Sequence, residues 1–406
     1  MHELHLIYAV VGIASVLLAL VSRQVRRLPV TEPLVATLLG VVVGPAVLGL
    51  LVVEQSQRDV VLLEGSRLLL ALSVTAAALR FPASSLRPLA RSVALLLLIV
   101  MPVAALAAGA AALLLGLPLA LALVVGACLS PTDPVLASSV VSGEPAEENL
   151  PARVRRVLTA ESGANDGLAL PLVGIAVVAV LPATRIADAA PRLMWEVLGG
   201  TGIGITAGVL AGLGLRAATR HRDLAPGPEL VYTLLLAVAV LGVSRLAHTG
   251  GVLAVFIAAL AYNWCIGNQE RESESRVDEA VNRYAVLPLF LVFEAVLPWR
   301  QWMELGPLAV VFVIAVLLLR RLPWVLLLSR PLHLPRHDAV FTGWFGPMGV
   351  SAIFYLAHSI HEGVTDSRLF ATGTLAIAVS VLAFGISAAP GTKVYARSRT
   401  AQQDGD

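Results

Sequence analysis

The chain has 406 residues, of which 57% are hydrophobic and only 14% are charged, and its formal net charge is +2. A soluble domain of ordinary composition carries about 25% charged residues, so this composition excludes the usual soluble classes. No Lys- or Arg-rich run is present, and we therefore expect no nucleic-acid partner. Apolar runs near the ~20 residues that cross a bilayer predict an all-α polytopic membrane protein surrounded by lipid.

In chain order, the apolar runs predict about thirteen transmembrane helices. They cover residues 4–21, 30–51, 61–81, 92–116, 118–141, 156–181, 194–216, 230–246, 249–267, 281–297, 305–329, 338–359 and 366–389. We expect a transmembrane domain over residues 1–390 and a short cytoplasmic tail over residues 391–406. With the N-terminus outside, most Lys and Arg residues fall in inside loops. The positive-inside rule therefore predicts a multi-pass protein of the cell (inner) membrane with a cytoplasmic C-terminus.

The fifth and sixth spans carry the most informative polar residues. Ser-Pro-Thr-Asp-Pro at 130–134 places Asp133 in an apolar run and breaks the helix, because each proline removes a backbone donor. Glu-Ser-Gly-Ala-Asn-Asp-Gly at 161–167 places Asp166 in the next span. A carboxylate inside a membrane indicates a functional site, and broken backbone at that depth lines a cavity or is buried in protein.

A second cluster of helix-breaking residues, from Gly343 to Gly349, interrupts the twelfth span. Because this span lies seven spans after the fifth, the two broken helices run in opposite directions. This arrangement is typical of inverted repeats, in which paired broken helices cross near the middle of the membrane with their ends facing an ion.

At these residues the chain resembles the NhaP-type, NHE-like branch of the cation/proton antiporter superfamily. The Ser-Pro-Thr-Asp-Pro-Val motif at 130–135 and the motif at 161–167 match that branch in order and spacing. Gly343–Gly349 is similar to its Gly-Trp-Phe-Gly-x-x-Gly segment, and Leu319–Leu322 to its late-helix arginine. The resemblance implies a monovalent cation/proton antiporter and not an enzyme. It also implies a homodimer, a mobile core that carries the site, and no cofactor.

Asp166 is the expected exchanging carboxylate, because a proton and a cation can compete for one buried carboxyl group. The alternative is a buried aspartate satisfied by helix N–H groups. Asn165 donates hydrogen bonds but carries no charge, so the Asn-Asp pair predicts one cation (Na⁺ or K⁺) for one proton, an electroneutral cycle. Asn165 can equally make a helix–helix amide contact that holds the fifth span in place.

Asp133 has two interpretations that both stay open. It can cap the second half of the fifth span, since aspartate is a preferred N-cap residue, or it can belong to the site, where it pairs with Asn165 or tunes the site through its charge. Both interpretations can hold at once. Thr132 and Ser162 offer hard oxygen atoms that, together with Asp166, suit an alkali cation. The sulfur or imidazole cluster that a transition metal prefers is absent from the motif.

Glu161 and an arginine of the eleventh span are expected to form a buried structural ion pair, because burying either charge alone is very costly. Arg321 matches the family motif slightly better than Arg320. The other arginine is expected to face a neighbouring carbonyl group or to extend towards water.

The chain departs from the family pattern at two places. The third span has no acidic residue between Leu70 and Arg80, where relatives often have one that contacts the cation, and Ser73 and Thr75 are the polar candidates there. Met348 replaces an arginine that is common in the twelfth span. The first departure predicts a different cation affinity or selectivity, and the second means that this chain does without whatever role that arginine has in its relatives.

Three further polar residues lie near predicted outer ends of spans. We expect Glu294 to be an interfacial glutamate near water, with a vestibule carboxylate as the alternative. His248 and His358 are expected to be satisfied surface residues and not pH sensors.

Two other functions remain open at this point. Asp133 and Asp166 lie on different spans and could share a proton as the dyad of an intramembrane aspartyl hydrolase, although the chain has no Gly-x-Gly-Asp pattern. A channel-like or inactive homologue built on the same bundle is the other alternative.

Overall fold

The computed structural model describes residues 2–25, 28–142, 144–181, 186–221, 229–266 and 280–403. Within these ranges every regular element is helical, and each predicted span coincides with one helix or with two half-helices around a break. The main elements are α1 (His2–Leu20), α2 (Glu32–Val43), α3 (Gln55–Leu79), α4 (Ala83–Leu115), α5a (Leu119–Leu129), α5b (Pro134–Val141), α6 (Ala152–Val180), α7 (Ile186–His221), α8 (Glu229–Leu246), α9 (Gly251–Cys265), α10 (Leu287–Ala295), α11a (Leu308–Leu319), α11b (Leu322–Leu327), α12a (Arg336–Trp344), α12b (Val350–His361) and α13 (Ser367–Gln403). Four shorter helical segments cover Ser22–Val25, Glu144–Asn149, Ala280–Ala285 and Trp299–Glu304.

Among the described residues, seven spans are long and apolar enough to cross a membrane, and α1, α2, α8 and α9 are shorter apolar helices. The prediction of an all-α polytopic protein is confirmed. The second span is shorter than the predicted 30–51, because Gly44 and Pro45 follow Val43 and end α2 there. The last helix is longer than predicted and continues through Pro390 to Gln403, across the expected start of the tail; residues 404–406 lie outside the described residues.

The helices form two groups that contact each other along one seam. In the first group, α7 and α3 pack on α9, and α2 packs on α10. In the second group, α4 and α6 pack on α5a, and α11b packs on α12a. The seam comprises the contacts of α3, α7 and α9 with α6, of α3 with α12b, and of α2 with α13. Any movement of one group against the other therefore acts on the helices that carry Asp166 and the second break.

The two broken helices meet at their breaks. The main-chain N–H of Asp133 donates to the carbonyl of Pro347 at 2.9 Å, which joins the break of α5 to the break of α12. Gly349 permits this approach, since a Cβ atom there would lie 2.4 Å from Oδ2 of Asp133. The crossing of the fifth and twelfth spans predicted from the sequence is therefore present.

Candidate functional site

Asp133 caps α5b at the centre of the crossing. Its Oδ1 atom accepts hydrogen bonds from the N–H groups of Val135 at 2.6 Å and Leu136 at 3.1 Å. Its Oδ2 atom faces Gly349, the residue before α12b. The carboxylate thus lies at the N-terminal ends of two half-helices, where the helix dipole favours a negative charge.

Arg320 occupies the opposite pole of the crossing, where α5a and α12a end. Carbonyl groups at helix C-termini lack intrahelical donors and need other partners. The buried guanidinium of Arg320 donates to four of them, those of Leu129 at 2.7 Å, Ser130 at 3.1 Å, Pro131 at 3.1 Å and Gly346. The crossing therefore holds a cation at its two helix C-termini and an anion at its two helix N-termini, as the dipoles require.

Glu161 and Arg321 form a bidentate ion pair beside the crossing. Nη2 of Arg321 donates to Oε2 of Glu161 at 2.7 Å, and Nη1 donates to Oε1. Only 5% of the arginine side chain and 2% of the glutamate side chain are exposed. Nε of Arg321 also donates to the carbonyl of Thr342 at 3.1 Å. The pair connects α6, the start of α11b and α12a.

Asn165 contacts Thr132, and the suggested pairing of Asn165 with Asp133 is wrong. Nδ2 of Asn165 donates to Oγ1 of Thr132 at 2.7 Å, which ties α6 to the break of α5. The Oδ1 atom of Asn165 is buried and has no hydrogen-bond partner among the described residues. The nitrogen of the Asn165 amide therefore holds the fifth span in place. Its oxygen remains available to accept a hydrogen bond or to bind a cation.

Asp166 differs from the other charged residues of this region in the hydrogen bonding of its side chain. It is 0% exposed, and neither carboxylate oxygen has a hydrogen-bond partner in the described part of the chain. Its main-chain carbonyl, by contrast, accepts a hydrogen bond from the hydroxyl of Tyr355. Ser162, one turn earlier, donates to the carbonyl of Leu158 at 2.8 Å and keeps its oxygen lone pairs. The interpretation of Asp166 as an aspartate satisfied by helix N–H groups therefore finds no support.

Sequence reasoning missed the contribution of α12b to this site. Ser351 and Tyr355 are both 0% exposed and lie one turn apart. The Tyr355 hydroxyl donates to the main-chain carbonyl of Asp166, and the Ser351 hydroxyl lies beside the Asp166 carboxylate without forming a hydrogen bond of normal geometry. The available signal was the spacing of two hydroxyl residues at positions i and i+4 directly after a helix break, which places both on one face.

A cavity of about 540 Å³ lies between the two groups of helices and extends to Gly167 and Tyr355, the neighbours of Asp166, which does not itself line it. Gly167, next to Asp166, lines it together with Tyr355, His358, Arg67, Arg192 and Arg245. Arg192 of α7 forms ion pairs at 3.1 Å with Glu196 of the same helix and with Glu362 after α12b. Water therefore has space between the groups up to the peptide that follows Asp166.

The third span supplies no acidic group near the site. Oγ of Ser73 donates to Oδ1 of Asn282 at 2.5 Å, and Oγ1 of Thr75 donates to the carbonyl of Ala71 at 2.9 Å. Met348 is buried, and its N–H donates to Oγ of Ser380 at 2.8 Å. At both places where the chain departs from the family pattern, the third span and Met348, the hydrogen bonds are therefore made with uncharged groups.

Two predictions for outer residues are wrong. Glu294 is only 2% exposed and packs against Gly40 of α2, so it is not an interfacial residue in contact with water. His358 lines the cavity, and its Nδ1 atom is buried without a partner among the described residues, so it is not a satisfied surface residue. Hydropathy located both residues near span ends, but helix packing decides their exposure. His248 is exposed, with a left-handed φ of 53°.

Comparisons with known proteins agree with this architecture. The family model "Sodium/hydrogen exchanger, transmembrane" matches residues 13–393. A Na(+)/H(+) antiporter of Saccharomyces cerevisiae is 32% identical over 368 residues, which cover 86% of this chain and 37% of the yeast protein. Na(+)/H(+) antiporter 2 of Zygosaccharomyces rouxii is 32% identical over 369 residues, which cover 86% of this chain and 45% of that protein. The chain thus spans less than half the length of these two relatives.

A solved structure shows the same fold. The sodium proton antiporter MjNhaP1 from Methanocaldococcus jannaschii at pH 8 matches with a TM-score of 0.75, over 97% of this chain and 98% of that chain, at 17% identity. At this identity the match concerns the arrangement of the helices and not the chemistry of individual residues.

Proposed function

The chain belongs to the sodium/hydrogen exchanger family, and from this premise we propose that it exchanges one monovalent alkali cation, Na⁺ or K⁺, for one proton at Asp166. The family consists of transporters, so the alternative of an aspartyl hydrolase is dropped. Asp133 also lacks the freedom that a catalytic dyad requires, because its Oδ1 atom already caps α5b.

One observation carries the proposal: Asp166 is fully buried and both of its carboxylate oxygens lack hydrogen-bond partners among the described residues. An ionised carboxylate in such a place is very costly unless a cation or a proton joins it. Either one neutralises the group, and both compete for the same oxygens. A site that is occupied by one or the other, but not by both, is what exchange transport requires.

The neighbouring charges support the one-for-one stoichiometry. Glu161 and Arg321 neutralise each other, and Asp133 and Arg320 place one charge of each sign at the opposite poles of the crossing. Asp166 adds one negative charge that a single monovalent ion balances. Because one charge replaces another, the net charge moved per cycle is zero and the membrane potential does no work on it.

We further propose that Asn165, Ser162 and the hydroxyl of Thr132 complete the cation site around Asp166. All three side chains are buried and offer oxygen atoms, which are the ligands that alkali cations prefer. The cavity beside Gly167 supplies one route for hydrated ions to the site. Movement of the two helix groups along their seam would close this route and open the other side.

A homodimer in the cell (inner) membrane, with the N-terminus outside and the C-terminus in the cytoplasm, is also part of the proposal. The excess of Lys and Arg in the loops placed inside supports the orientation. The homodimer is what the family resemblance implies. Cysteine-accessibility labelling of the loops and the mass of the purified protein in detergent test these two statements independently of transport.

The test of the proposed function is proton flux in proteoliposomes that contain the full chain and a pH-sensitive dye. In proteoliposomes that contain the unchanged protein, addition of Na⁺, K⁺ or Li⁺ is expected to release the protons trapped inside the vesicles. The release is expected to be equal with and without a clamped membrane potential. Asp166→Asn is expected to abolish this flux, because the amide can bind neither the proton nor the cation by charge.

The matched control is Asp338→Asn. Asp338 is another buried aspartate, but it accepts a hydrogen bond from Tyr395 at 2.5 Å and lies in the first turn of α12a, ahead of the break. Its variant is expected to retain exchange. Absence of flux with every alkali cation, in correctly inserted protein, would refute the antiporter proposal in favour of an inactive homologue. Cation flux without proton movement would favour a channel.

A further inference from the structure

One face of α12b is directed at the site. Tyr355 donates its hydroxyl to the main-chain carbonyl of Asp166. Ser351 lies one turn before Tyr355 and Ser359 one turn after it, so the three side chains share a face. Ser359 lies 3.4 Å from the sulfur of Cys128 on α5a. The face therefore runs from the break, past Asp166, to the first half of the fifth span.

Ser351 differs from the other serines of this region in its hydrogen bonding. A serine inside a helix commonly donates to the carbonyl four residues earlier, as Ser162 and Ser359 do, each at 2.8 Å. For Ser351 that residue is Pro347, which lies in the break, and its carbonyl accepts the N–H of Asp133. The Ser351 hydroxyl is 0% exposed and has no hydrogen-bond partner among the residues that the structure describes.

A buried hydroxyl without a partner loses the free energy of its hydrogen bonds to water. Such a group in a folded protein calls for a specific explanation, of which an absent ion is one. The Ser351 hydroxyl lies beside the Asp166 carboxylate but outside normal hydrogen-bond geometry, and the Oδ1 atom of Asn165 is also buried and unpartnered in the described structure. Four residues from three helices thus present unsatisfied oxygen atoms in one region, since Oδ2 of Asp133 also has no partner among the described residues.

We propose that the hydroxyl oxygen of Ser351 is a ligand of the transported alkali cation, supplied by the second broken helix. This inference rests on the proposed function. It gives the site a neutral hard oxygen from α12b, in a chain whose third span provides no acidic ligand. One hydroxyl serves both loaded states, because its lone pairs can face a cation and can equally accept the proton of a neutral Asp166.

The experiment compares Ser351→Ala with Ser359→Ala in the proteoliposome assay of the full chain. Both variants remove one fully buried hydroxyl from the same face of α12b, but the Ser359 hydroxyl already has a carbonyl partner. For Ser351→Ala we expect the half-saturating cation concentration to rise about three- to tenfold, which corresponds to the loss of one contact of hydrogen-bond strength. The maximal rate at saturating cation is expected to stay within about twofold, because Asp166 still carries the exchange.

Ser351→Thr is the rescue variant and keeps the hydroxyl oxygen. It is expected to restore the half-saturating concentration, and the ratio of the values for Li⁺, Na⁺ and K⁺ is expected to change in Ser351→Ala but not in Ser359→Ala. A purely structural role of Ser351 would change the maximal rate and leave this ratio unaltered.

Equal half-saturating concentrations in the unchanged protein, Ser351→Ala and Ser359→Ala would overturn the proposal while leaving the exchange at Asp166 intact. If Ser351→Ala does not fold, Ser351→Thr and Ser351→Cys decide the question in the same way, since sulfur is a poor ligand for alkali cations. Ser351→Cys must then weaken cation binding and Ser351→Thr must not. If the unchanged protein shows no exchange with any alkali cation, that result would instead refute the proposed function itself.

Discussion

The break of α5 and the middle of α6 each contain one fully buried aspartate, and the two carboxylates have different surroundings. Asp133, at the break, accepts two main-chain N–H groups and faces the start of a second half-helix. Asp166, in the unbroken α6, lies where the main-chain N–H groups are used by the helix itself, and its side-chain oxygens have no partner among the described residues. Breaking a helix therefore supplies donors that hold a carboxylate in place, whereas an intact helix leaves a carboxylate available for exchange.

The two regions also differ in the cations near them. Arg320 belongs to the crossing and binds four carbonyl groups there, while Arg321 is held by Glu161. Both arginines are thus engaged by fixed partners, and neither forms an ion pair with Asp166 among the described contacts. This comparison predicts that removing fixed charges will reduce stability, and that removing the Asp166 charge will reduce transport alone.

The largest stability effect is expected when the buried ion pair is broken. Glu161→Ala leaves the guanidinium of Arg321 buried without its counter-ion, and we expect the free energy of unfolding to fall by about 3–5 kcal/mol. Thermal unfolding of the purified protein in detergent measures this change. The control is Glu304→Ala, which removes the partner of Arg300 from an exposed pair with 91% and 65% exposed side chains and should have little effect.

The double variant Glu161→Ala with Arg321→Ala sharpens this test. Removing both charges leaves no unpaired ion, so the loss is expected to be smaller than for Glu161→Ala alone. An equal or larger loss in the double variant would mean that packing, and not charge compensation, is the main contribution of this pair.

A smaller effect is expected at the cap of α5b. Asp133→Ala removes the acceptor of two N–H groups and should cost about 1 kcal/mol, as for other N-cap residues, while Asp133→Asn should cost less. Asp166→Asn is expected to leave the unfolding temperature unchanged or higher, because it removes a buried charge without a partner. The same thermal unfolding assay compares the three variants.

Transport by Asp133→Asn decides whether the comparison of the two carboxylates is correct. If Asp133 is a fixed charge and not the exchanging group, this variant should retain cation-dependent proton flux at a reduced rate. Complete loss of flux, as expected for Asp166→Asn, would show that both carboxylates take part in exchange.

An effect similar to that of Asp133→Ala is expected at the contact that joins the two regions. Thr132→Val removes the acceptor of the Asn165 amide at 2.7 Å, and we expect a loss of about 1 kcal/mol in the free energy of unfolding. A double-mutant cycle with Asn165→Leu measures the coupling of the two side chains, expected at about 0.5–1.5 kcal/mol. A coupling energy near zero would mean that the amide does not hold the fifth span.

Part of the site could be predicted from local sequence. The prolines on either side of Thr132 and Asp133 dictate the break of α5, because proline cannot continue the hydrogen-bond pattern of a helix. Ser351 could not be recognised in the same way, since a single serine in an apolar helix carries no sign of its partners. Glu294 was placed near water because hydropathy gives depth along a span but not the direction that a side chain faces.

The sequence by itself determined the all-helical membrane architecture, the positions of both helix breaks and the presence of a carboxylate in α6, because apolar length and proline chemistry act locally. Only the tertiary structure decided that Asp133 is the carboxylate held by hydrogen-bond donors and that Asp166 is the carboxylate left without them among the described residues. That difference depends on donors from distant segments: Asp133 meets the start of α12b, Arg320 reaches the ends of two half-helices, and no described donor reaches the oxygens of Asp166. Hydrogen bonds over such sequence separations form only when the two helix groups pack, so they leave no local pattern in the chain.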